Sequence, residues 1–194
     1  MRVIAGIAKG RRLVGPDTRD TRPLTDRARE AVFSALGGLV GDAEVLDLYA
    51  GSGSIGIEAL SRGALRVVFV EKGREALSAL RQNLAALDFA NVTVVGQDVD
   101  QFLATAAGDF DLIFFDPPWA MDPELLIEQM KGAERVAVYG AEMVVHRRWS
   151  DAMPVAPEGW RLLTTRRYGD GVIYRYERSA ADPIDQQQNS KDDE

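Results

Sequence analysis

The chain has 194 residues, of which 46% are apolar and 27% charged, with a net charge of −7 and no cysteine. That is the make-up of one globular domain with a proper core; it excludes a disordered chain, a disulfide framework, a thiolate metal site and a thiol nucleophile. No apolar run approaches the roughly 20 residues of a membrane-spanning helix.

Charge is unevenly spread. Residues 1–30 hold eight Arg or Lys against four acids, whereas 180–194 hold five acids against Lys191. A basic arm on an acidic body can bind phosphate locally, because screening confines each patch to about 10 Å. A solvated charged surface accounts for the same pattern. The opening MRVIAGIAKGRRL alternates and carries early arginines rather than a signal-peptide core, so the cytoplasm is the expected location.

Val3–Ala5 and Arg12–Val14 are expected as two short strands turning at Lys9-Gly10. A polar connection from Pro16 to Pro23 leads to a helix that starts at Thr25 or Asp26, either of which can cap it. Its apolar face is Ala28, Val32, Leu36 and Leu39, Gly37-Gly38 frays its end, and its paired charges fit a solvated face.

The organising stretch runs from Glu44 to Glu71, EVLDLYAGSGSIGIEALSRGALRVVFVE. An apolar run enters a loop with Gly51, Gly53 and Gly56, an amphipathic helix follows, and a second apolar run stops on Glu71. This is strand, tight loop, helix, strand, the first half of a doubly wound nucleotide-binding sheet. The glycines let the chain turn sharply and a ligand approach. Glu71, at the second strand tip, suits the two hydroxyls of a ribose. The loop alone fits a NAD fingerprint as well as a methyl-donor site. Asp47, four residues before the first glycine, tips the balance: a carboxylate there repels pyrophosphate and attracts an amino-acid ammonium.

Beyond it, Leu77, Leu80, Leu84 and Leu87 mark a helix over Arg74–Asp88, and Val92–Val95 a strand. Asp98 can accept a bond from an adenine amino group or cap the helix Val99–Ala106, and the two are compatible. Asp111–Phe115 reads as a buried strand, followed by a helix Pro123–Met130, a strand Glu142–His146 and a strand pair, Arg161–Arg167 and Val172–Glu177. The lone histidine, His146, lacks partners of its kind for a zinc site and is expected at a strand end or on the surface, without a role. Residues 1–178 are expected as a single domain, with 1–40 an extension, and 179–194 as a disordered acidic tail.

The Asp111–Phe115 strand ends in Asp116-Pro117-Pro118-Trp119. Two prolines fix φ and remove two donors, so the Asp116 carboxylate and Pro117 carbonyl can both face outward as acceptors. An exocyclic base amine has two N–H groups for them, and Trp119 offers a flat surface on which the base can stack. Read alone, the tetrapeptide is equally a proline-stabilised turn with a packing tryptophan.

D-x-Y-A-G-S-G around Asp47 resembles motif I of the class I S-adenosylmethionine (SAM)-dependent methyltransferases, and DPPW resembles motif IV of their amino-group branch. RVIAG, GRRL, RPLTDRAREAVFSAL (Arg22 to Leu36), DLYAGSGSIGIEALSRGA, DPPW and RRYGDG together are similar to the RsmD family of bacterial 16S rRNA guanine-N2 methyltransferases, from about Arg2 to Glu177. The resemblance implies a Rossmann-like α/β fold, a seven-stranded mostly parallel sheet with helices on both faces, plus an N-terminal β-hairpin and helix. It implies SAM held by Asp47, Tyr49, Gly51, Ser52, Gly53, Glu71, Asp98 and Asp116. It implies guanine N2 methylation by Asp116, Pro117 and Trp119, with Arg12, Arg22, Thr25, Asp26, Arg29 and Pro118 on the RNA side. The implied partner is 16S rRNA within a 30S subunit or assembly intermediate, approached by a monomer without a metal or a membrane. Trp119 stands where the family more often has Phe or Tyr, which keeps adenine N6 methylation open, and a non-catalytic SAM- or RNA-binding assembly factor is the rival from another class. Absent cysteine excludes methylation at pyrimidine C5, which needs a covalent thiol adduct.

Overall fold

The strands draw heavily on β-branched and aromatic residues, and their apolar side chains on both faces call for helices on each side of one sheet. The structure, a computed structural model, describes residues 1–15 and 24–179. In chain order these form α1 (Asp26–Leu36), β1 (Glu44–Leu48), α2 (Ser54–Ser61), β2 (Arg66–Val70), α3 (Arg74–Leu87) and β3 (Val92–Val95). There follow α4 (Val99–Thr105), β4 (Phe110–Phe115), α5 (Pro123–Gly132), β5 (Ala137–Arg148), β6 (Trp160–Tyr168) and β7 (Gly171–Arg178). The seven strands run in the order β3-β2-β1-β4-β5-β7-β6. Neighbours from β3 through β5 are parallel, and β7 is antiparallel to both β5 and β6. This is the Rossmann-like class I methyltransferase sheet that the motifs implied.

Alternation along each strand divides the core in two. Val45, Val67, Phe69, Phe114 and Val144 face α1, α2 and α3, where Val32, Phe33, Ile57 and Leu80 meet them. Leu46, Leu48, Ile113, Phe115 and Val145 face the α4 and α5 side, against Leu103, Leu126 and Met130. Each such side chain contributes about 1.5–3 kcal/mol through burial.

Two expectations need correction. The N-terminal strands reduce to an isolated antiparallel bridge between Arg2 and Arg12. The donors that a longer ladder would use go elsewhere: the Ile4 and Ala5 N–H groups bond the Glu58 carboxylate at 2.7 and 3.0 Å. The segment is therefore pinned to α2, and its own pairing is limited to the bridge and the bonds Val3 N–H to Arg11, Gly10 N–H to Val3 and Leu13 N–H to Met1. Gly6 makes that approach possible, since a Cβ there would lie 1.6 Å from the Ser61 carbonyl oxygen. The second correction is the length of β5, which starts five residues before the expected Glu142. The Pro16–Pro23 connection and the expected tail beyond Ser179 lie outside the described residues.

Candidate active site

Register brings the site together. Leu48 at the end of β1 lies beside Val70 of β2 and Phe115 of β4, and Phe115 lies beside Val145 of β5. The next residue on each strand emerges at the same carboxyl edge: Tyr49, Glu71, Asp116 and His146. In an open α/β sheet this edge, where the strand order reverses, is the ligand side.

The loop after β1 has three distinct glycines. Gly53 (φ +86°) and Gly56 serve packing, since a Cβ on either would lie 2.4 Å from Leu80 Cδ1 or 2.3 Å from Phe69 Cε1. Gly51 (φ +57°) would point its Cβ into open space. Of the three it alone leaves room at the loop surface for a close approach, a distinction that the sequence does not draw. Tyr49 also has positive φ, +63°, a strained choice for a side chain of its size. It is held there because its hydroxyl donates to Gln129 Oε1 at 2.6 Å, and Gln129 in turn donates to Asp100 at 2.7 Å. Ser52 is buried, and its carbonyl accepts from Asn83.

Four carboxylates surround this loop. Glu71 accepts from the N–H groups of Gly51 (2.8 Å), Lys72 (2.9 Å) and Gly73 (2.7 Å), which fixes the loop against the tip of β2. Oε1 is filled by Lys72 and Gly73, and Oε2, which takes Gly51, keeps one lone pair for a further donor. Asp98 caps α4 through the Asp100 N–H, as expected, and also takes Lys72 Nζ at 2.6 Å. That ammonium holds the Asp98 carboxyl below its usual range.

Asp47 is buried, with one oxygen accepting from Gly56 N–H at 2.9 Å and the other left without a partner. Burial, reinforced by Asp116 and Glu71 and opposed by the Gly56 bond, pushes its pKa from 3.8 up to about 8. The folded chain therefore holds a proton that the unfolded chain has lost between pH 3.8 and about 8. Across that window stability falls as pH rises. Asp47→Asn keeps an acceptor for Gly56 and should flatten this slope. Urea midpoints at about pH 5 and about pH 8 check it; equal slopes in the two proteins would remove Asp47 as the cause.

At the fourth strand end, Asp116 Oδ1 lies 2.7 Å from His146 Nδ1, both side chains largely buried. The expectation of no role for His146 is corrected here. Parallel pairing of β4 and β5 sets the two side by side, and Gly171 makes room, since a Cβ there would stand 2.4 Å from His146 Nε2. The following loop is clamped by buried Arg147, which donates to the carbonyls of Pro118 (3.1 Å), Trp119 (3.4 Å) and Met121 (3.3 Å) and to Asp151 (3.0 Å). The Pro117 carbonyl is not among them. Pro118 is exposed and Trp119 half-buried, with the Arg148 guanidinium over its ring at 4.7 Å.

The arm residues are less uniform. Thr25 caps α1 through the Ala28 N–H. Asp26 pairs with Arg29 at 3.1 Å, and Arg29 is fully buried, donating to the Arg2 carbonyl. Arg29 braces the arm rather than lining an RNA surface, a second correction: helix spacing alone does not show that Glu58 waits beneath it. Arg12 is exposed, and Arg22 lies outside the described residues. Among the described residues no three His, Asp or Glu side chains are grouped to hold a metal ion.

The edge thus fits SAM: Gly51 leaves room for close approach, Asp47 has an orphaned buried oxygen for an ammonium, and the clustered carboxylates suit a cation better than a phosphate. Comparison with known proteins agrees. The family model "Conserved hypothetical protein 95" matches residues 1–177. Ribosomal RNA small subunit methyltransferase D of Escherichia coli K12 is 34% identical over 182 residues, covering 93% of this chain and 91% of that protein. Its Haemophilus influenzae namesake is 33% identical over 181 residues, covering 90% and 92%. The solved structure of yhhF from Escherichia coli superposes with a TM-score of 0.84 at 33% identity, covering 93% of this chain and 99% of that one. The chain belongs to this family, which contains the small-subunit ribosomal RNA methyltransferases D.

Proposed function

We propose that the protein methylates the exocyclic N2 amine of a guanine in small-subunit rRNA, using SAM. The observation that supports this reading is the position of Asp116, directly after β4 at the carboxyl edge beside the glycine loop, with one oxygen on His146 and the other available, followed by Pro117. SAM supplies an electrophilic methyl on a sulfonium. Asp47 faces its ammonium and Glu71 its ribose, with Tyr49, Ser52 and Gly53 shaping the loop and Asp98 at the adenine.

A guanine flipped from an unpaired loop stacks on Trp119. The free Asp116 oxygen and the Pro117 carbonyl accept its two amine hydrogens. This favours a pyramidal nitrogen and aims the lone pair at the methyl. His146, bonded to the other Asp116 oxygen, fixes the carboxylate's rotation. Transfer is in-line displacement helped mainly by orientation. As the N–C bond forms, the methyl's bond to sulfur breaks and the neutral thioether S-adenosylhomocysteine would leave; the acidic ammonium that remains passes its proton to Asp116 and then to water. Pro118, Thr25, Asp26 and the basic residue Arg12 border the RNA side, and a small subunit or its assembly intermediate supplies the rest of the recognition.

The test is direct. Small-subunit rRNA from cells lacking the protein is digested, and its N2-methylguanosine compared with wild type by mass spectrometry. Loss of one residue per rRNA supports the reading; loss of N6-methyladenosine instead would move the substrate to adenine, and no change would overturn it.

A further inference from the structure

A second indole stands at the same edge. Trp149 follows Arg148 directly, is 47% exposed, and carries the Arg167 guanidinium over its ring at 4.7 Å. The Trp149 backbone N–H donates to the Asp170 carbonyl at 2.7 Å, and the Arg167 side chain donates through Nε to the Gly169 carbonyl at 2.9 Å. The platform is therefore built on the β6–β7 turn, with the backbone of Trp149 and the guanidinium of Arg167 both tied to it. Arg148 over Trp119 is the neighbouring stack. Residues 148 and 149 are consecutive, so the two stacks are neighbours along the chain, with those two Cα atoms about 3.8 Å apart.

We propose that the Trp149–Arg167 stack is a second base platform, which holds an unpaired nucleotide next to the flipped guanine. An indole roofed by a guanidinium leaves π surface for a base and charge for its phosphate, and such stacking tolerates any base. Local charge supports this on a chain that is otherwise acidic. Exposed Arg148 and Arg167 carry that charge at the two rings, whereas Arg147 is buried and bonded to Asp151. Folding does not need the tryptophan on the surface, whereas Trp160 is 6% exposed in the core. The proposal rests on RNA being the substrate.

The test uses the full-length protein and a short single-stranded oligouridine, followed by tryptophan fluorescence and by titration. Wild type should bind with quenching. Trp149→Ala should weaken binding by about 5- to 150-fold, the range of one lost stack, and Trp149→Phe should restore most of it. Arg167→Gln should lower the salt slope by about one. SAM affinity should stay unchanged in all three. Wild-type affinity in Trp149→Ala, or no binding by wild type, overturns the platform. So does lost methylation of the subunit with oligonucleotide binding intact, which would make the surface a protein contact. Methyl transfer by wild type to small-subunit RNA is measured in parallel. If transfer is absent while binding still depends on Trp149, the enzyme reading fails and the platform stands.

Discussion

Asp116→Ala is expected to lower methyl transfer by about 100- to 1,000-fold or more, the loss seen when one preorganised polar group at a reaction centre is removed. SAM affinity should stay close to wild type. Asp116 directly follows β4, whereas the glycine loop follows β1 and Glu71 follows β2; on the proposed reading the first meets the substrate amine and the other two the donor. Single-turnover transfer and calorimetric titration with SAM separate the two effects. Equal loss of both would mean that Asp116 holds the donor and not the acceptor. His146 gives a graded control. Its Nδ1 reaches only one Asp116 oxygen, so His146→Ala should leave the carboxylate present and misaimed, and transfer should fall less than in Asp116→Ala. Gly171→Ala should reproduce that phenotype without touching either group, because the new methyl would occupy the space of the imidazole.

This pair also marks what the sequence conveys and what it does not. Periodic elements were legible: Leu77, Leu80, Leu84 and Leu87 announced α3, and Thr25 announced the start of α1. Motif residues were legible too, because Asp47, Gly51, Glu71 and Asp116 lie at fixed distances from strand ends, and strand ends set the carboxyl edge. His146 and Arg147 carried no such signal. Each acts on a loop 26 to 30 residues earlier in the chain, through a parallel pairing that only the folded sheet creates. The length of β5 was hidden for a local reason. Gly140 at φ +82° and the register shift opposite Phe110 and Leu112 break its alternation, so the strand reads as beginning only where regular pairing resumes at Glu142. The charges of α1 pointed the other way. Rows of Arg and Asp look solvated in a linear sequence, yet one of them, Arg29, is buried.

Glu58→Ala should be the most destabilising single change, by about 3–5 kcal/mol, the cost of leaving a buried charge without its partner. Glu58 is itself buried. It accepts from Ile4, Ala5 and Arg62 Nε (2.7 Å) and lies 4.0 Å from Arg29 Nε. Burial already drives the Arg29 guanidinium below its ordinary pKa, with Asp26 and Glu58 opposing that shift. Alanine would remove the buried counter-charge, orphan two backbone donors and release the arm from α2. Total stabilities of about 5–15 kcal/mol leave little margin for this. Glu58→Gln should do little better, since its amide NH2 would replace one of the two accepting oxygens and face donors. The double variant Arg29→Met, Glu58→Gln removes both charges and should recover part of the loss. Urea midpoints measure all three, with an unchanged m-value showing that the denatured state is not involved. A loss below about 1 kcal/mol in Glu58→Ala would show that the arm is held instead by the Ser61 and Asn83 bonds to Ala8 and Val14.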